Sequence, residues 1–228
     1  MKNIAPWKKY IFLIGVLFLF PLAWLLFFGV YSKHHFKTLE YFGPECEAGA
    51  DTTSYALPDF AFLNQDGEVI TRDSLRGKVW LAAFYNLSDS NLNKITERLL
   101  SVNFKYRNES DIRIVVFSTN CDSDLTKLKA YSDQNTRYNA FDKKWMMLTG
   151  DQASMQSYIR NGFLIEDLSN EARFQLIDPN GQIRGKYGNT EYHFLGGGGD
   201  SLPNIMEDIA LLKKELDIRN YELRHQHE

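Results

Sequence analysis

Residues 10–31, YIFLIGVLFLFPLAWLLFFGVY, form a run of 22 residues without one charge. No other feature constrains the fold as strongly, because about 20 consecutive apolar residues match the roughly 30 Å hydrocarbon core of a bilayer. A helix apolar on every face has no side to turn toward water, so burial in a small soluble domain fits poorly. A secretory signal has an apolar region of only about 7–15 residues and small residues at its cleavage site. Here the run ends in Phe27, Phe28, Gly29, Val30 and Tyr31, with no A-x-A pattern and no cysteine at its edge for lipidation. The sequence therefore predicts an uncleaved signal anchor: a tail over 1–9 and a transmembrane helix over 10–31, kinked at Pro21, with Trp24 or Tyr31 near an interface. Lys2, Lys8 and Lys9 precede the run and Lys33 and Lys37 follow it. That bias, with the α-amino group, keeps the amino terminus in the cytoplasm. The expected topology is a single-pass inner (cytoplasmic) membrane protein with its domain in the periplasm.

The net charge of −3, less the three positive charges of Lys2, Lys8 and Lys9, leaves −6 on residues 32–228. Nucleic acid demands basic patches, so it is not the expected partner. The chain has two cysteines, Cys46 and Cys121, and no CxxC or CxxxC. That count excludes a zinc knuckle, an iron–sulfur cluster and a dithiol redox motif. The two thiols are expected to be unpaired and partly buried; a bond between them would be a structural staple rather than a redox pair.

Residues 32–57 show no periodicity and read as a linker. From Pro58 the pattern becomes regular. Phe60 and Phe62 alternate with polar neighbours, Gln65, Asp66 and Gly67 turn, and Val69 and Thr71 return, which predicts a β-hairpin. Val79–Tyr85 and Ile112–Ser118 are continuous apolar runs of the kind buried on both faces of a sheet. Between them Leu92, Ile95, Leu99 and Val102 recur at helical spacing, after Ser88 or Ser90 as a cap. Leu125, Leu128 and Tyr131 mark a second helix. Trp145–Leu148 reads as a short strand, and Asp151 caps a helix through Ile159. Phe174–Ile177 and Ile183–Tyr187 flank Asp178, Pro179, Asn180 and Gly181, a hairpin turn. A last helix spans about 202–216, and 218–228 reads as a tail. The expected domain, 58–217, is α/β, with a central mixed sheet flanked by helices and an N-terminal hairpin. Two parallel strands followed by an antiparallel hairpin and a helix is the thioredoxin order.

Five segments in this order resemble the SCO/SenC family of membrane-anchored, thioredoxin-fold copper proteins linked to assembly of the copper-A centre of cytochrome oxidase. They are 41–44 (YFGP), 57–67 (LPDFAFLNQDG), 77–80 (GKVW), 145–151 (WMMLTGD) and 174–187 (FQLIDPNGQIRGKY). The resemblance implies two cysteines three residues apart after the first buried strand, and a histidine before the strand that enters the last hairpin. Here the cysteine positions fall on Asp89 and Asn93, or on Ser88 and Leu92 in the neighbouring register; Asn170 is the counterpart of the histidine. Neither register supplies a sulfur, and no histidine lies between His35 and His193. Copper(I) selects soft thiolate or thioether ligands, then imidazole, so this set does not suit it. Thiol exchange needs a thiolate, and none of the six prolines immediately precedes Phe174, where thioredoxin-type catalysis would use a cis-proline.

The remaining constellations read as structural. His225 and His227, with Glu222 and Glu228, sit on a terminus expected to fray. His34 and His35 adjoin the anchor, and His193 reads as a loop residue. Met146 and Met147 are adjacent on a strand and so point to opposite faces, into the core, as does Met155. Cys121 lacks an evident activator. Asp89 is the only carboxylate at the mapped positions, too few for calcium. The sequence thus predicts a non-catalytic binding or assembly factor of the cell envelope, without copper or another cofactor. Its partners would be the membrane, through 10–31, and an unidentified envelope protein such as a respiratory-complex subunit or assembly factor. Two rivals remain: a copper carrier using other ligands, such as Cys121 with a mobile histidine, and a thiol enzyme acting through one cysteine.

Overall fold

The computed structural model describes residues 38–44, 55–85, 87–90, 92–119, 125–135, 144–166, 174–188 and 204–225, together with Trp7, Gly15, Leu17, Phe18, Phe20, Pro21 and Trp24. The chain forms two compact units, residues 1–37 and 38–228. In the first, Gly15, Leu17, Phe18, Phe20, Pro21 and Trp24 are helical. Leu17, Phe18, Phe20 and Trp24 are each more than half exposed. Among the described residues no helix is long and apolar enough to cross a membrane, and most of the 10–31 run lies outside them.

The second unit is built on a sheet of five strands: β3 (Val79–Tyr85), β4 (Ile112–Ser118), β5 (Trp145–Leu148), β6 (Phe174–Ile177) and β7 (Ile183–Tyr187), in the order β5-β4-β3-β6-β7. β3 runs parallel to β4, and β4 to β5, whereas β6 is antiparallel to both β3 and β7. The parallel pairs follow from their connections: each carries a helix, α1 (Leu92–Lys105) or α2 (Leu125–Asn135), and a crossover of that length returns the chain in the same direction. A separate two-stranded hairpin, β1 (Ala61–Leu63) and β2 (Val69–Thr71), precedes the sheet. Helix α3 (Gln152–Gly162) follows β5, and α4 (Ile205–His225) ends the fold. This is the thioredoxin order expected from the sequence.

Every residue of β3 is buried, because both faces are covered. Val79, Leu81, Ala83 and Tyr85 face α1 and α4, which contribute Ile95, Leu99, Val102, Ile205, Ile209 and Leu212. Trp80, Ala82 and Phe84 face the hairpin and α3 through Phe60, Phe62, Ile70, Met155 and Ile159. Each such large apolar side chain contributes about 1.5–3 kcal/mol of transfer free energy, so the two layers dominate stability. Met146 and Met147 enter opposite layers, as their adjacency on a strand requires.

Hydrogen bonds meet both edges of the sheet, from a side chain and backbone at β5 and from backbone at β7. At β5, the buried Gln65 amide donates to the Trp145 carbonyl at 3.3 Å and accepts from the Met147 N–H at 2.9 Å. It thus bonds like one residue of a neighbouring strand. Leu63 and Thr149 exchange two backbone bonds beside it, at 3.0 and 2.8 Å. The turn that presents Gln65 is held by the Asn64 Oδ1, which accepts from the N–H of Asp66 and of Glu68, both at 2.9 Å. At β7, the Phe42 N–H donates to the Ile183 carbonyl at 3.0 Å. Unpaired edge groups invite pairing with another chain, and these contacts remove several of them.

The segment 38–44 is also fixed by Arg184, whose side chain is fully buried. Its guanidinium donates to the Leu39 carbonyl at 2.9 Å and to both oxygens of Glu215, at 2.9 and 2.8 Å. It faces Asp178 at 3.7 Å and stacks on the Tyr41 ring, 3.9 Å from its centroid. Leu57 is fully buried, and the Tyr55 hydroxyl donates to the Gly162 carbonyl at 2.7 Å. The linker expected over 32–57 is therefore too long: 38–44 and 55–57 belong to the folded unit. Sequence periodicity missed them because irregular backbone contacts, not a repeating apolar face, hold them.

The carboxyl terminus is corrected in the same way. Helix α4 continues to His225, through most of the expected tail 218–228. No glycine or proline interrupts the chain after Pro203, and Glu, Leu and Arg sustain a helix beyond the last apolar contact. It begins at Ile205 rather than near 202, because Asn204 caps it, its Oδ1 accepting from the Met206 N–H at 2.9 Å. Asp151 caps α3 as expected, accepting from the Ser154 N–H and Oγ, both at 2.8 Å.

Candidate binding site at the carboxyl end of the sheet

In a sheet with parallel strands, ligand sites lie beyond the carboxyl ends of those strands. Here Tyr85 at the end of β3 pairs with Ser118 at the end of β4, and Phe174 at the start of β6 pairs with Ala83. The chain therefore leaves β3 after Tyr85 and β4 after Ser118, and enters β6 at Phe174, at one pole. This is the pole where the family resemblance places its ligands.

Of the expected site positions, Ser88 and Asn93 are exposed, and Asp89 and Leu92 are half-buried. Leu92 packs against the core layer that holds Ile95 and Leu99. Its N–H donates to the Asp89 carbonyl at 3.0 Å, which closes the turn into α1. The Asp89 and Asn93 register thus presents two accessible side chains, whereas the Ser88 and Leu92 register turns one of its members into the core. Asn170 lies outside the described residues, four positions before the start of β6. Cys46, Cys121, His34, His35, His193 and His227 lie outside them as well.

The side-chain donors among the described residues of 88–93 that are not turned into the core include one carboxylate (Asp89), two serine hydroxyls (Ser88 and Ser90) and an asparagine amide (Asn93). These are hard oxygen and amide groups, poor partners for copper(I). Among the described residues no three of the types His, Cys, Asp and Glu are grouped to hold a metal ion. The copper implied by the family resemblance therefore does not fit the donors described at 88–93.

Beneath the loop lies a layer of hydroxyl groups that the sequence reading missed. Thr96, buried in α1, donates its hydroxyl proton to the Leu92 carbonyl at 2.8 Å. The same oxygen bonds the hydroxyl of Tyr131 on α2. Burial raises the Tyr131 pKa, and the bond to Thr96 partly offsets it, so the phenol stays protonated at neutral pH. Tyr85, fully buried at the end of β3, faces Tyr131 and the Trp145 indole N–H. Burial raises its pKa well above the ordinary value, Tyr131 adds to the rise, and the indole opposes it. The Thr119 N–H donates to the Tyr85 carbonyl at 3.2 Å, tying the β4 exit to the β3 exit. One signal for this layer was present in the sequence: a threonine four residues after the first apolar position of a helix can bond back to that turn.

A cleft of about 510 Å³ opens at the opposite pole, where β3 begins, between Gly77, Val79, Asp111, Lys213 and Arg219. Lys213 there pairs with Glu109 and, at 3.5 Å, with Asp111. Cation and anions neutralise one another, and none of the described site residues Ser88, Asp89, Leu92 and Asn93 lines it.

No protein-family model matches the chain. A SCO1 protein homolog of Bacillus subtilis (strain 168) is 27% identical over 153 residues, 62% of this chain and 78% of the relative. The crystal structure of a SCO1/SenC family lipoprotein from Bacillus anthracis superposes with a TM-score of 0.55 at 26% identity, covering 70% of this chain and 95% of that one. Yeast Sco1 shares the fold, with a TM-score of 0.53 at 19% identity over 71% of this chain and 97% of its own. The order of the matching sequence segments, the observed sheet topology and these two bacterial relatives agree in showing a chain similar to the SCO/SenC family.

Proposed function

We propose that this protein is a membrane-anchored SCO/SenC-type binding factor, without catalytic or copper-carrying activity, that assists assembly of a respiratory oxidase from the periplasmic side. The observation that supports it most directly is chemical. At the mapped positions between β3 and α1, a loop of serine, aspartate and asparagine stands on an otherwise complete family fold. Such a loop offers hydrogen-bond donors and acceptors to a protein surface and no sulfur for metal or electron exchange. Its anchor is the charge-free run at 10–31. Its partner is an envelope protein, and the resemblance points to an oxidase subunit or another assembly factor.

The test is site-specific photo-crosslinking of the full chain in its native membrane, with the reactive group at Ser90 and, as a control, at Arg219 on the opposite pole. The expected result is a discrete adduct from Ser90 alone. Equal adducts from both sites, or none, would overturn the reading. So would stoichiometric nanomolar copper(I) binding that vanishes in Cys121→Ser, which would establish the copper-carrier rival. Alkylation of Cys121 coupled to turnover of a thiol substrate would establish the thiol-enzyme rival.

A further inference from the structure

We infer that Tyr131 and Thr96 are positioning residues for the β3–α1 loop, doing through a chain of hydroxyl bonds what metal ligation does in a loaded site. This rests on the reading of that loop as the recognition surface.

A hydroxyl has one proton. Thr96 gives its proton to the Leu92 carbonyl, so the bond between Thr96 and Tyr131 must carry the tyrosine's proton. The result is a directed chain: Tyr131 donates to Thr96, and Thr96 donates to Leu92. Leu92 in turn donates its N–H to Asp89 inside the loop. The chain runs from α2 through the first turn of α1 to the residue at the centre of the site. Thr96 is buried and Tyr131 half-buried, and successive bonds in such surroundings polarise and strengthen one another. A metal that ligates a loop also fixes its shape. The donors at 88–93 do not suit copper(I), so the loop's shape must come from its neighbours. Tyr131 is the member of the chain on a separate helix, and it thereby ties the loop to the position of α2.

The experiment is amide hydrogen exchange on the full chain in detergent, comparing Tyr131→Phe and Thr96→Val with Thr96→Ser. Removing one buried hydroxyl bond is expected to speed exchange across 86–93 by about tenfold, with β3 and β4 unchanged. Thr96→Ser keeps the hydroxyl and should exchange like the parent. Loop exchange unchanged in both Tyr131→Phe and Thr96→Val would overturn the inference. An equal rise in the loop, β3 and β4 would overturn it too, since that marks general destabilisation. Crosslinking from Ser90 is read in the same variants. A faster loop with lower adduct yield supports both the positioning role and the recognition surface. A faster loop with undiminished yield sustains the positioning role and overturns the recognition reading.

Discussion

Replacing Arg184 by Met tests how far the segment 38–44 belongs to the fold. The guanidinium is fully buried, and it holds Glu215, faces Asp178 and bonds the Leu39 carbonyl. Methionine preserves much of the stem but leaves two carboxylates without their cation. Removing one partner of a buried ion pair typically costs about 3–5 kcal/mol, mostly because the remaining charge is stranded. Part of that is relieved here: Asp178 keeps two backbone donors, the N–H of Asn180 at 2.9 Å and of Gln182 at 3.0 Å, and Glu215 keeps some access to water. The lower end, about 3 kcal/mol, is therefore expected, which lowers the melting temperature of a 38–228 fragment by roughly 6–12 °C. Urea denaturation followed by tryptophan fluorescence measures it directly. Tyr41→Ala, which removes the stacked ring, should cost about 1–2 kcal/mol, and its effect should shrink in the Arg184→Met background because the two share one contact. A loss below about 1 kcal/mol in Arg184→Met, or full additivity with Tyr41→Ala, would mean that the cluster is solvated and the segment is not docked.

Other outcomes follow from single contacts. Gln65→Leu strands the Trp145 carbonyl and the Met147 N–H at about 1–3 kcal/mol each; denaturation should show the loss, and sedimentation should show association through the opened β5 edge. The Ser154 backbone bond holds the Asp151 carboxyl below its ordinary pKa, so the stability it gives is present above that ordinary value and is lost as pH falls through the lowered one. Asp151→Asn keeps a capping side chain, and its stability difference from the parent should vanish across that acid window in a pH series. The 38–228 fragment should fail to take copper(I) from a competing chelator, and Asp89→Cys with Asn93→Cys should raise its affinity more than Ser88→Cys with Leu92→Cys; the reverse ranking would show that the register is off by one.

Much of the sheet was legible because its information is local. VWLAAFY and IRIVVFS are too apolar and too short for anything but strands covered on both faces, and the helix between them forces a parallel pair. The turn at Asp178 to Gly181 was legible because Gly181 takes φ of +83° and Asp178 bonds two N–H groups ahead of it. What stayed hidden depends on residues far apart in sequence. Arg184 and Leu39 are 145 positions apart, and Gln65 meets Met147 across 82. Gln65 reads as a solvated turn residue until the edge it covers is known. The far end of α4 was underestimated because an apolar stripe marks where a helix is packed, not where it stops.

The candidate site was legible by what it lacks, since counting cysteines and histidines requires no geometry. Its supports were not, because Thr96 and Tyr131 sit on different helices and each alone looks like core. Their chain and the Arg184 cluster share no residue: one joins α1 to α2, the other joins 38–44 to β7 and α4. Groups without a shared partner contribute independently, so Thr96→Val combined with Arg184→Met should lose the sum of the separate losses within about 0.5 kcal/mol. The same independence separates the loop between β3 and α1 from the contacts that hold the sheet. Among the described residues 87–90 only Leu87 packs against a core layer, so substitutions at Ser88, Asp89 and Ser90 should change what the loop can bind and leave the sheet intact. Strong coupling between the two variants would contradict this, and would make the loop part of the folding core rather than a surface carried by it.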